Sequence, residues 1–175
     1  MTPSRTWNDR GFYREVYEEG EGPWSNLSEL DRRTADWIEI LDRERAGSAR
    51  VLDLGTGRGR MADLFRRSGY PTVGIDYLRE PLRDAQQQFA RDEVGFVQAD
   101  AFDPPFRSGT FFGLVDYGLL HHVRRTGWEG YRDITLELLR PGGYFFVNVF
   151  HESDEHADRG GKNWVYHRGH YDHFF

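Results

Sequence analysis

The sequence of 175 residues contains no cysteine and only one lysine, Lys162. The lack of cysteine excludes disulfide bonds, thiolate metal sites and cysteine nucleophiles. No apolar run approaches the ~20 residues that span a bilayer, and the N-terminus lacks the apolar stretch of a signal peptide. We therefore expect a cytoplasmic protein without membrane contact.

Positive charge is carried almost entirely by arginine, which is interspersed with acidic residues, as in LDRERAGSAR and RDEVG. The net charge is -6, and no basic stripe of the kind that binds nucleic acid is present. We therefore do not expect a nucleic-acid partner. The length suffices for one domain with a buried core. The oligomeric state stays open, a homodimer included.

The strongest local signal is VLDLGTGRGR, residues 51–60, in which an apolar run is followed by glycines at positions 55, 57 and 59. Glycine lets the backbone turn sharply and lets a ligand approach it closely. Dinucleotide-binding loops follow G-x-G-x-x-G, but Arg60 stands at the last position of that pattern. With Asp53 just before the loop, the motif favours a ligand that has an adenosine and a cationic amino group but no phosphates. A tight turn between strand and helix would use the same glycines.

From Arg50 onward, strand-like and helix-like segments alternate. Strands are predicted in RVLDLG, PTVGID, VGFVQAD, FFGLVDYG and YFFVNVF, and helices in RGRMADLFRRSG, LREPLRDAQQQFARD and WEGYRDITLELLRPGG, the last ended by Pro141 and two glycines. This alternation predicts an α/β fold, a mainly parallel sheet of about five strands with helices on both faces. Helical spacing in the first ~45 residues predicts additional helices there.

Acidic residues end the predicted strands, and ligands bind at the carboxyl ends of parallel strands. Asp76, which ends the second strand, lies 21 residues beyond Gly55, the spacing of an acid that binds ribose hydroxyls; a helix cap is the alternative. Asp100 could accept from an adenine amino group, with the amide of Ala101 reaching the ring, or could form a turn. Asp116 would face the same crevice, or be an ordinary strand-end acid.

Together, these segments resemble class I S-adenosylmethionine-dependent methyltransferases. The matching pieces are VLDLGTGRG, VGID, QADAFDPPF, FFGLVDYGLLHHV and LLRPGGYFFVNVF, in family order over roughly residues 50–150. The resemblance implies a Rossmann-like three-layer sandwich and S-adenosylmethionine as the cofactor. The family sheet usually has seven strands, so we expect truncated C-terminal strands: an N-terminal helical cap over residues 1–45, a cofactor-binding core over 46–150 and an incomplete segment over 151–175.

The same resemblance implies roles for residues of the first two strand ends. Asp53, Gly55 and Gly57 would border the methionine end of the cofactor. Asp76 would bind the ribose, and Tyr77 would flank the adenine.

It also implies roles for the later strand ends and the N-terminal segment. Asp100 and Ala101 would read the adenine edge, and Asp116 or its backbone would lie near the methionine amino group. The segment FYREVYEEGEGPWSNLSEL is similar to the lead-in of thiol and thiopurine methyltransferases, which implies that Trp24 lies near the cofactor. That similarity points to a small acceptor such as a thiol, a halide or a metalloid oxyanion.

Histidines supply the candidate catalytic groups. His121 and His122 follow the fourth predicted strand, and histidine titrates near neutrality, as a general base requires; in this family LLHHV also often serves packing. Near the C-terminus, HRGHYDH has histidines three residues apart, a spacing also found in helical metal sites. Gly169 weakens a helix there, and the resemblance implies no metal, so we predict a polar tail or the fringe of the substrate site.

The sequence thus predicts an S-adenosylmethionine-dependent methyltransferase acting on a small-molecule acceptor: a thiol, hydroxyl, amine or small anion. One alternative is a module that binds S-adenosylmethionine without catalysis. Another is an NAD-dependent oxidoreductase on a similar fold, against which Arg60 argues.

Overall fold

The computed structural model describes residues 27–44, 49–89 and 94–148. The helices in these ranges are α1 (Leu27–Glu44), α2 (Arg60–Arg67), α3 (Arg79–Phe89) and α4 (Trp128–Leu138). The strands are β1 (Val51–Leu54), β2 (Thr72–Asp76), β3 (Val94–Gln98), β4 (Phe111–Tyr117) and β5 (Leu139–Asn148). Two short 3₁₀ turns, Leu120–His122 and Arg125–Gly127, connect β4 to α4.

The five strands form one parallel sheet in the order β3-β2-β1-β4-β5. The chain moves outward from β1 to β3 and then crosses to the other side of β1 for β4 and β5. The strand order therefore reverses between β1 and β4, the position at which such sheets bind ligands beyond the carboxyl ends of their strands. The predicted α/β fold is confirmed.

Helices cover both faces of the sheet, and each face has its own apolar cluster. On one face, Leu41 of α1 and Phe65 of α2 pack with Val51 and Val115. α1, which belongs to the predicted cap, thus lies directly on the sheet. On the other face, α4 packs against a cluster that includes Leu52 and Leu114.

The sequence of α4 explains its orientation. Its buried residues are Trp128, Tyr131, Thr135 and Leu138, spaced three or four apart, as one buried helix face requires. Leu136, between two of them, is 53% exposed.

The end of α4 differs from the prediction. The helix ends at Leu138, and Leu139 is already extended, with φ -72° and ψ 134°. Phe111 pairs with Leu139, whereas the next pair is Gly113 with Tyr144, so residues 140–143 form a bulge at the start of β5. Pro141 lacks an amide hydrogen and disfavours helical backbone in Arg140, and the pairing of Leu139 with Phe111 of β4 makes the chain extended one residue earlier still.

Within the described ranges, no helix is long and apolar enough to cross a bilayer. Nor do three potential metal ligands come together there. Trp24 and the histidine-rich residues 167–173 lie outside these ranges.

Candidate functional site

Three buried aspartates lie near the carboxyl ends of three adjacent strands. Asp53 is the third residue of β1, Asp76 the last residue of β2 and Asp116 the sixth residue of β4. Their exposed fractions are 1%, 9% and 0%, respectively. The structure thus brings together three acids that the sequence assigns to the site, at the edge where the strand order reverses.

The loop between β1 and α2 passes across the end of β2. Gly55 and Gly57 have φ of +69° and +52°, a region that residues with a Cβ rarely adopt. Between them, the amide of Thr56 donates to the carbonyl of Ile75 at 2.8 Å. The amide of Gly57 donates to Asp76 Oδ2 at 3.0 Å. The loop therefore places backbone without side chains beside the buried carboxylates.

Asp53 ties this loop to the first turn of α2. Its Oδ2 accepts hydrogen bonds from the Thr56 hydroxyl at 2.5 Å and from the amide of Ala62 at 3.1 Å. Burial raises the pKa of Asp53 to about 7, although both hydrogen bonds lower it. The Asp53 side chain therefore holds the loop through hydrogen bonds, and burial leaves its charge poorly solvated.

Asp76 also binds backbone amides but keeps some exposed surface. Its Oδ2 accepts from Gly57, and its Oδ1 accepts from the amide of Leu78 at 2.9 Å. Burial raises the pKa of Asp76 to about 6. A carboxylate offers about four acceptor positions, so Asp76 can still accept from a ligand diol. Tyr77, the next residue, is half-buried.

Asp100 lies in a turn, not at the end of a strand as predicted. β3 ends at Gln98, and Asp100 Oδ1 accepts from the amide of Phe102 at 3.0 Å. The amide of Ala99 donates to the carbonyl of Asp76 at 3.0 Å, which holds the turn beside β2. Asp100 is half-buried and Ala101 is 5% exposed. The turn-forming role of Asp100 is compatible with a ligand contact from its other oxygen.

The Asp116 carboxylate is held within the protein. Its Oδ2 accepts from the Tyr131 hydroxyl at 2.7 Å, and its Oδ1 accepts from the amides of Leu119 and Leu120 at 2.6 and 3.3 Å. Burial raises the pKa of Asp116 to about 7. Since Asp116 pairs with Leu54 while Asp53 pairs with Val115, the side chains of the two acids lie on opposite faces of the sheet.

His121 and His122 lie in the 3₁₀ turn after β4, with ring centroids 3.8 Å apart. Burial lowers the pKa of His122 to about 3, and burial together with His122 lowers the pKa of His121 well below its usual range. Both rings are therefore neutral at physiological pH. An imidazole with so low a pKa is a weak proton acceptor.

Hydroxyls and backbone amides donate hydrogen bonds to the three strand-end acids. Ion pairs in the described part of the chain involve other residues: Arg58 with Asp84, Arg66 and Arg67 with Asp63, and Arg132 with Asp133. Buried carboxylates without a cation favour a bound group that carries positive charge or several donors.

Three residues contribute to the site but are not predicted from the sequence: Thr56, Leu119 and Tyr131. Thr56 lies inside the glycine motif of residues 51–60, which is the sequence signal that points to its hydroxyl. Tyr131 lies on the apolar face of a predicted helix, where a buried tyrosine hydroxyl needs a partner. No sequence signal points to Leu119, since its contact depends on two distant segments meeting.

Comparison with known proteins identifies the family. Residues 27–175 match the family described as "Methyltransferase domain". The chain is 36% identical over 103 residues to the ubiquinone/menaquinone biosynthesis C-methyltransferase UbiE of Desulfotalea psychrophila, and 34% identical over 104 residues to a demethylmenaquinone methyltransferase of Clavibacter sepedonicus. These alignments cover 55% and 58% of this chain but 39% and 41% of the relatives, so the chain spans about two fifths of their length.

A solved structure is also similar. It is the 1,6-didemethyltoxoflavin-N1-methyltransferase of Burkholderia thailandensis, crystallised with 1,6-didemethyltoxoflavin and S-adenosylhomocysteine. The identity is 27% and the TM-score 0.68, over 82% of this chain and 61% of that one. The sheet order, the glycine loop and these similarities agree: the chain belongs to the methyltransferase domain family, whose fold is that of the class I S-adenosylmethionine-dependent methyltransferases.

Proposed function

We propose that this protein is an S-adenosylmethionine-dependent methyltransferase acting on a small-molecule acceptor. The observation that carries the proposal is the group of buried strand-end acids around a bare glycine loop. S-adenosylmethionine combines a cationic amino group and a sulfonium with a ribose diol, so it offers the positive charge that these acids lack and hydroxyl donors for the open acceptor positions of Asp76.

The residues of the glycine loop and of the end of β2 fit this cofactor. The left-handed glycines Gly55 and Gly57 would border the methionine end, and the buried Asp53 beneath them favours positive charge. Asp76, with acceptor positions still open, would bind the ribose diol. Tyr77 would flank the adenine.

The remaining contacts are assigned to the turn after β3 and the end of β4. Asp100 and Ala101 would meet the adenine edge, and the backbone of Asp116 would lie near the amino group. Trp24, which lies outside the described residues, stays a prediction from the N-terminal similarity.

When bound, the cofactor supplies the electrophile, a methyl group on a positively charged sulfur. The contribution of the chain is to hold the two reactants in line and to exclude water, and such alignment can lower a barrier by roughly 7–11 kcal/mol. We keep His121 and His122 as the candidate bases. Their lowered pKa values favour an acceptor that needs little deprotonation, such as a thiolate or another small anion, over an alcohol.

The acceptor class follows from the relatives only in broad terms. Two relatives are named as a ubiquinone/menaquinone biosynthesis C-methyltransferase and a demethylmenaquinone methyltransferase, and one similar structure contains 1,6-didemethyltoxoflavin, which supports a small organic acceptor. Thiols, hydroxyls, amines and small anions are the acceptors to screen.

The first test is thermal unfolding with S-adenosylmethionine, S-adenosylhomocysteine, NADH and ATP. A ligand at 100 times its Kd adds about 2.7 kcal/mol of stability, which shifts Tm by several degrees in a domain of this size. We expect a shift with the first two ligands only. A shift with NADH alone would favour the oxidoreductase alternative. Binding without methyl transfer to any screened acceptor would favour a non-catalytic module.

A single-residue test uses Asp76→Asn, which keeps the size of the side chain but removes its charge. We expect S-adenosylhomocysteine to bind at least about tenfold more weakly, because charge-assisted bonds to the ribose are lost. Asp133→Asn is the matched control: Asp133 is 63% exposed and pairs with Arg132 on α4. Equal affinity in Asp76→Asn and the wild type would remove Asp76 from the site.

A further inference from the structure

A buried hydrogen bond joins helix α4 to the segment that follows β4. The Tyr131 hydroxyl donates to Asp116 Oδ2 at 2.7 Å, and the two residues are 1% and 0% exposed. The other oxygen of Asp116 accepts the amides of Leu119 and Leu120. One carboxylate therefore connects the helix layer to the start of this segment.

The segment, residues 118–122, also contacts the glycine loop. A Cβ built on Gly55 would lie 3.0 Å from both Cβ and Cδ1 of Leu119, so the Leu119 side chain lies directly against the loop backbone. Within the segment, Gly118 has φ +98°, and a Cβ there would lie 3.1 Å from Cε1 of His121. The segment is thus folded tightly, and its position sets the space beside Gly55.

The Tyr131 ring is held in place independently of its hydroxyl. Its centroid lies 5.7 Å from that of Phe102 and 6.3 Å from that of Phe145, so aromatic neighbours on two elements fix the direction of the hydroxyl. Phenylalanine at this position would keep these contacts and lose only the hydrogen bond to Asp116.

We propose that Tyr131 is a positioning residue for cofactor binding: through Asp116, it fixes residues 118–122 against Gly55 and so maintains the shape of the glycine loop. This inference rests on the proposed function and extends it to the helix layer on the opposite face of the sheet from α2. Without the hydroxyl, Asp116 Oδ2 is left buried without this donor, a state that proteins relieve by local rearrangement. The amides of Leu119 and Leu120 share that carboxylate, so the rearrangement displaces the segment.

The test measures the affinity for S-adenosylhomocysteine by calorimetry in the wild type and in Tyr131→Phe. We expect Kd to rise about tenfold, equivalent to about 1.4 kcal/mol. Tyr70→Phe is the matched control. Tyr70 is also fully buried, and its hydroxyl also donates to a carboxylate, that of Asp42 on α1, but it precedes β2, at the end of the sheet away from the site. The affinity of Tyr70→Phe for S-adenosylhomocysteine should stay within about twofold of that of the wild type.

Leu119→Ala provides a second route that leaves the buried carboxylate intact. It shortens the side chain that touches Gly55, so it should also raise Kd. In the double variant with Tyr131→Phe, Leu119→Ala should raise Kd by a smaller factor than it does alone, because both changes act through one segment. Hydrogen exchange of residues 118–122 without ligand should be faster in Tyr131→Phe and unchanged in Tyr70→Phe.

The outcomes separate this inference from the proposed function. A wild type that binds no S-adenosylhomocysteine overturns both. A wild type that binds, with Tyr131→Phe binding equally well or Tyr70→Phe losing as much affinity, overturns the positioning role alone. Unchanged exchange of residues 118–122 in Tyr131→Phe also overturns it.

Discussion

Gly74 in β2 shows how closely the glycine loop packs on the sheet. A Cβ at this position would lie 2.5 Å from Thr56 Oγ1 and 2.8 Å from Thr56 Cβ. Thr56 cannot easily move away, since its hydroxyl binds Asp53 and its amide binds Ile75. We predict that Gly74→Ala lowers the free energy of unfolding by about 1–3 kcal/mol and weakens S-adenosylhomocysteine binding, as measured by urea unfolding and calorimetry.

Gly95→Ala is the control for this prediction. Gly95 lies in the neighbouring strand β3, where an added Cβ meets no atom of the described residues within 4 Å. Its replacement should change the free energy of unfolding by less than about 0.5 kcal/mol. Equal losses in the two variants would mean that these strands resist alanine in general and that the Thr56 contact is not the cause.

Individual site residues can be predicted from the sequence where their role follows from local spacing. The glycine motif and the acid 21 residues beyond Gly55 identify the loop and Asp76, which meet through the Gly57 amide. The sequence does not predict that the Asp116 carboxylate binds Tyr131, because that contact depends on how α4 crosses the sheet. Nor does it predict the low pKa of His122, since burial is a property of the folded chain.

Helix α1 is the element whose packing ties the N-terminal part of the described chain to the sheet. Leu41 is fully buried among Val51, Phe65 and other members of its cluster. We predict that Leu41→Ala lowers the free energy of unfolding by about 2–5 kcal/mol, because it leaves a cavity in this layer. Glu39→Ala, on the exposed side of the same helix, should cost less than about 0.5 kcal/mol. If urea unfolding shows similar small losses for both, α1 does not contribute to the cooperative core.

The strands and helices of the core are largely predictable because each carries a local signal. Apolar runs identify β1, β2 and β4, which are almost fully buried. The limits are less predictable: β3 ends at Gln98 and α4 at Leu138, both earlier than the sequence pattern suggests. Pro141 explains the second difference, and the pairing of residues 139–148 with β4 explains why the chain becomes extended so early.

For the whole molecule, the buried acids make stability depend on pH. The pKa values of Asp53, Asp76 and Asp116 are raised by burial to about 7, 6 and 7, from an ordinary 3.8. The folded state therefore holds these protons more tightly than the unfolded chain does. The resulting stability is fully present below about pH 4 and is lost as the pH rises through about 6 to 7. We predict that the contribution of these acids to the free energy of unfolding of the ligand-free protein falls between about pH 5 and pH 8. His121 and His122, whose pKa values burial lowers, contribute with the opposite sign as the pH rises through about 6.5.

Asp53→Asn assigns part of this pH dependence to the site. The amide keeps an oxygen that can accept from Thr56 and Ala62 but cannot ionise, so the loss of stability between about pH 5 and pH 8 should be smaller in the variant. S-adenosylmethionine should have a related effect on the wild type. Its positive charge favours the ionised acids, so the stabilisation that it adds should grow as the pH rises. Urea unfolding at several pH values, with and without S-adenosylmethionine, measures both. Equal pH dependence of stability in the wild type and in Asp53→Asn would assign that dependence to groups outside the site. A stabilisation by S-adenosylmethionine that does not change with pH would mean that these acids do not interact with the bound cation.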